Sequence, residues 1–75
     1  MRQNDAARGE TYAREAVRLE PGNPGAHNLL GIALASRGDA ANAIAQFQEA
    51  LRIKPNDPQV QGNLERALGS SRNAR

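Results

Sequence analysis

The sequence predicts an all-α fold, an α-solenoid of antiparallel helix pairs, and three observations carry that prediction. First, the chain repeats itself. Pro21 and Pro55 lie 34 positions apart, and the same offset places Asp5, Ala6 and Ala7 on Asp39, Ala40 and Ala41. It also places Glu15, Ala16 and Arg18 on Glu49, Ala50 and Arg52, and Leu30, Ala33 and Leu34 on Leu64, Ala67 and Leu68. A self-match of this period is the signature of a helix–turn–helix array. Second, the chain is alanine-rich and only 3% aromatic, a composition that favours helices packed at close approach over strands. Third, apolar residues recur at helical spacing, as in Leu30, Ala33 and Leu34, and then in Ala43, Ile44, Phe47, Ala50 and Leu51. Each helix therefore has one face to bury.

Capping chemistry sets the elements in order. A first helix over 5–20 is signalled by Asn4-Asp5 and stopped by Pro21-Gly22, because proline lacks a backbone donor and disfavours helical geometry just before it. The second, over 24–37, opens with Asn23 as an Asx cap and Pro24 at the first helical position. Gly38 closes it in the left-handed conformation, and Asp39 caps a third helix over 40–54, which ends at Pro55-Asn56. Asp57-Pro58 repeats the Asx-proline start for a fourth helix over 58–69. The tail 70–75 has no apolar periodicity and is expected to be disordered, leaving one domain over 5–69.

Composition excludes several function classes. The 75 residues make one small domain, close to the size limit for folding alone. With no cysteine, neither a disulfide framework nor a thiolate metal site is possible. The net charge is only +2, and arginines such as Arg8, Arg14, Arg18 and Arg37 alternate with Glu10, Glu15, Glu20, Glu49 and Glu65. That pattern reads as a solvated face, and no nucleic-acid partner is expected. No apolar run reaches the roughly 18 residues of a membrane span, and no signal peptide is recognisable at the start. The expectation is a soluble chain with no membrane partner, its compartment left open and the cytoplasm favoured.

Catalytic chemistry is not legible. His27 is the single histidine, so neither a histidine pair nor a metal cluster can be assembled around it, and a structural or surface role is expected. Gly22, Gly25 and Gly38 belong to turns and caps, with no strand before them to make a phosphate loop. N-capping accounts for Asp39 and Asp57 without a cation. The reading is a non-enzyme with no metal and no cofactor.

Residues 24–57 resemble one unit of the tetratricopeptide repeat. Leu30-Gly31 matches that family's leucine-glycine pair, followed by Leu34 and the turn Gly38-Asp39. In the second helix Ala43, Phe47, Ala50 and Pro55 match its small, aromatic, small and closing-proline positions. Gly31, Ala43 and Ala50 lack bulk where two helices cross, and Phe47 fills the remaining space. His27 departs from the pattern, standing where a large aromatic is usual, and is expected to weaken the packing. Residues 5–23 look like the second helix of a preceding unit, and 58–69 like the first helix of a following one. In the latter, Asn63 and Glu65 replace Leu29 and Gly31, as expected of a solvated outer face on a capping helix. The architecture is about two repeats, arranged half, whole, half.

The resemblance implies a protein-interaction module whose first helices line a concave groove for a partner peptide or helix. Carried over position by position, the groove residues are Asn28, Ile32 and Ala35 with Gln59, Gly62 and Arg66. Asn28 and Gln59 suit peptide backbone, Ile32 an apolar side chain and Arg66 a carboxylate. The lysine and asparagine set with which some family members hold chaperone C-termini is not matched, so chaperone binding is not expected. Repeat proteins usually need about three units to stand alone. Tyr12, Ala13, Ala16, Val17 and Leu19 on the first helix therefore form a candidate self-association face, for a homodimer or larger oligomer, with helix exchange across the Pro21–Pro24 linker as one route. The alternative is a structural fragment of a repeat array that assembles with itself and has no separate ligand.

Overall fold

The computed structural model describes residues 2–73, and they form four helices: α1 (Arg2–Leu19), α2 (Pro24–Ser36), α3 (Ala40–Ile53) and α4 (Pro58–Asn73). Each packs mainly against its neighbour in sequence, and α2 with α3 makes the most extensive pairing. No helix among the described residues is long and apolar enough to cross a membrane.

The caps follow the sequence. The Asn23 side chain accepts from the Gly25 N–H at 2.8 Å, and Asp57 Oδ1 accepts from the Gln59 N–H at 3.1 Å. Asp39 accepts from the Asn42 N–H at 3.3 Å. Between α2 and α3, Gly38 adopts φ +85°, which lets the Gly38 and Asp39 N–H groups reach back to the carbonyls of Ala35 and Leu34 at 3.0 and 2.9 Å.

Both outer helices differ from expectation at their free ends. Asn4 and Asp5 lie inside α1 instead of capping it, because α1 already begins at Arg2 and no turn follows the pattern of Arg37-Gly38-Asp39 there. At the other end, residues 70–73 belong to α4, so this part of the expected disordered tail is helical. No proline interrupts the segment, and Arg72 in the last turn complements the helix dipole. Residues 74 and 75 of that expectation lie outside the described residues.

The core is built around Leu34 and Phe47, with many small side chains between the helices. Leu34 and Phe47 are each 1% exposed, and Ala13, Leu30, Ala43, Ala50, Val60 and Ala67 join them. The close approach of α2 to α3 depends on Gly31: a Cβ placed there would lie 2.5 Å from Cε1 of Phe47. An ion-pair chain ties the three helices together at one end. Glu10 on α1 takes Arg14 at 2.8 Å and Arg37, at the end of α2, at 3.0 Å, while Arg37 also reaches Asp39 at the start of α3 at 3.6 Å.

Candidate functional site

The facing sides of α2 and α4 form the groove side of the molecule. These helices touch only narrowly, and between them, over the start of α3, opens a cleft of about 320 Å³. Its apolar lining includes Ile32, Ala35, Phe47 and Ala67, and its polar rim includes Asn63 and Arg66. Of the six groove positions expected from sequence, Ile32, Ala35 and Arg66 come together here. Asn28, Gln59 and Gly62 lie elsewhere along α2 and α4 and do not line the cleft. Phe47, expected only as a packing residue, is also part of the wall. Ser70 lines the cleft too, and sequence reasoning missed it because it was placed in the tail.

Asn63 overturns the expectation of a solvated outer face. It is 8% exposed, and its Nδ2 donates to Asn28 Oδ1 at 3.0 Å across the α2–α4 contact. Arg66 in turn donates through Nη2 to Asn63 Oδ1. The polar residue is tolerated because both ends of its amide are engaged. The result is an arginine held at the cleft edge by a side chain that is itself held by α2. Glu65, the other replaced position, is exposed as expected.

His27 is buried, and both of its ring nitrogens are bonded. Nε2 lies 2.7 Å from the Pro21 carbonyl, which can only accept, so this nitrogen carries a proton. Nδ1 lies 2.8 Å from the Gln46 side-chain amide. That amide has a donor and an acceptor end and so can match either state of Nδ1. His27 therefore pins α3 and the α1–α2 linker to α2, a structural role. Two polar bonds stand where the family has aromatic bulk. The linker is further fixed by Asn23, whose backbone N–H and Nδ2 bond to the Glu20 carbonyl and side chain at 3.0 and 2.9 Å.

The α1 surface is divided. Tyr12 is 73% and Leu19 63% exposed, and Ala16 and Val17 are half-buried. Ala13 is fully buried against the chain's own core and is removed from any self-association face. Among the described residues no group of three histidines, cysteines or carboxylates is placed to hold a metal ion.

A succession of helix, turn and helix with a small-residue crossing, repeated in sequence, defines a helical repeat module. The family model described as tetratricopeptide repeat matches residues 1–58, and the chain belongs to that family. Repeats of this kind serve in general as non-catalytic protein-interaction modules. No match is found among curated proteins.

Proposed function

We propose that the chain is a non-catalytic interaction module that holds a short segment of a partner protein in the α2–α4 cleft. One observation carries this reading: an apolar pocket containing Ile32, Phe47 and Ala67 lies beside a positioned cation, Arg66. That combination fits an extended peptide or helix presenting an apolar side chain next to a carboxylate. The test is selection of peptides from a displayed library, followed by NMR mapping of the best binder on the isotope-labelled chain. Shifts centred on Ile32, Ala35 and Arg66, with binding reduced at least about tenfold by Arg66→Glu, support the reading, since a charge-assisted bond contributes roughly 1.5–3 kcal/mol. Binding that leaves these residues unmoved refutes it.

A second reading, self-association through α1, is favoured by the exposure of Tyr12 and Leu19 on one helix. It uses a surface separate from the cleft, so the two readings can hold together.

A further inference from the structure

The repeat supplies an internal control for what each helix lacks. The offset that relates the two halves of the sequence turns the α2–α3 pair into α4 and α1: α4 is a second copy of α2, and α1 a second copy of α3. Residues that become more exposed under this translation mark an interface present in one place and open in the other. Leu34 is 1% exposed, and its equivalent Leu68 is 38% exposed. Ala50 is buried where Ala16 is half-buried, and Ile53 is half-buried where Leu19 is exposed. The open positions lie on the side of α4 that corresponds to the α3-facing side of α2, and on the side of α1 that corresponds to the α2-facing side of α3.

Three features say what closes these faces. The His27 clamp is half-repeated on α4: Gln61 stands at the equivalent of His27, and its Nε2 donates to the Pro55 carbonyl at 3.3 Å, as His27 does to Pro21. The remaining partner in the whole repeat is Gln46, whose equivalent on α1 is the exposed Tyr12. A phenol hydroxyl and an amide oxygen are a donor and an acceptor. The tight crossing is also altered on both sides at once. Glu65 takes the place of Gly31, so a helix bringing a phenylalanine to the position of Phe47 cannot approach α4 as α3 approaches α2, where even a Cβ would sit 2.5 Å from the ring. On α1 that position is Ala13, whose short side chain is already buried in the chain's own core, so α1 brings neither a ring nor a contact to that point of the crossing. Finally, α1 and α4 both run about a turn beyond their equivalents, at the ends that would lie side by side in an antiparallel pair.

We propose that a second copy of this chain packs its α1 against α4 of the first in the antiparallel pairing that α3 makes with α2, so that copies join head to tail. The inference rests on the self-association reading and is independent of the cleft. The interface is heterologous, with different surfaces from the two copies, and therefore leaves an α1 face and an α4 face open for further addition.

The experiment is sedimentation of the wild-type chain and of Tyr12→Glu and Leu68→Glu from micromolar to millimolar concentration, with helical circular dichroism checking the fold. Wild-type mass is expected to keep rising with concentration. Each variant alone is expected to be monomeric, and an equimolar mixture to give a heterodimer that grows no further, because one α1 and one α4 face survive. Should either variant lose its helicity, Leu19→Glu and Gln61→Lys replace them. A wild-type dimer plateau that persists in Leu68→Glu indicates an α1–α1 dimer or helix exchange. It overturns the head-to-tail arrangement while sparing self-association. A wild-type monomer at millimolar concentration overturns both, and peptide binding in the cleft stands or falls separately.

Discussion

The Gly31–Phe47 crossing offers a perturbation whose sign depends on a single partner. Gly31→Ala replaces a poor helix former by the best one, a gain of about 0.8–1.0 kcal/mol in a helix interior. The same methyl would stand 2.5, 2.7 and 2.9 Å from Cε1, Cδ1 and Cζ of Phe47, a core side chain only 1% exposed. Overpacking of this kind costs about 1–3 kcal/mol, so the net effect is a destabilisation between about 0 and 2 kcal/mol. For a domain of this size each kcal/mol moves the melting midpoint by about 4–8 °C. In a Phe47→Leu background the ring is gone, and Gly31→Ala is expected to raise the midpoint. Thermal and urea melts of the four proteins in the cycle measure the coupling directly. If Gly31→Ala stabilises the wild type as much as it stabilises Phe47→Leu, the close approach of α2 to α3 does not depend on this glycine.

His27→Ala removes two hydrogen bonds and a buried ring and is expected to cost about 1–3 kcal/mol, at about 0.5–1.5 per bond, read as a lower urea midpoint. Gly38→Ala forces a Cβ into φ +85°, and a loss of about 1–2 kcal/mol is expected by the same measurement. The Asp39 carboxyl is held below its usual range, chiefly by the Asn42 side chain and then by the Asn42 N–H, and Arg52 does the same for Glu49. A depressed folded-state value stabilises above the unfolded value and is lost on acidification. The melting midpoint should therefore be flat above about pH 5 and fall as the pH drops below about 4. Asp39→Asn, which keeps a capping side chain but cannot titrate, should make that fall shallower.

The elements that could be read from the sequence are those whose cause is local. Asn23, Asp39 and Asp57 cap because a short acceptor before a helix satisfies its first N–H groups, and Gly38 closes α2 because only glycine adopts that turn without strain. The Gly31–Phe47 crossing was legible through the resemblance, since it depends on size. What was not legible depends on contacts distant in sequence. Asn63 reads as a solvent residue until Asn28, on another helix, is found opposite its amide. His27 reads as a flaw in the packing until Gln46 and Pro21 are placed at its two nitrogens. Ala13 reads as part of an apolar stripe, and only the position of α2 separates it from Tyr12. In the cleft, Ile32, Ala35 and Arg66 were readable from the sequence, but the narrow contact of α2 with α4 beside the space is a tertiary property. Ser70 joined the lining because α4 runs further than its weak periodicity suggested.

In the proposed head-to-tail assembly one translation relates both the folded pairs and the open faces, with the groove a separate surface. Amide NMR of the isotope-labelled chain followed through a dilution series tests this most directly. The predicted result is concentration-dependent shifts on α1 around Tyr12, Ala16 and Leu19 together with α4 around Gln61, Leu64 and Leu68, while Ile32 and Ala35 stay fixed. Shifts confined to one of the two helices, or centred on the cleft, would contradict it.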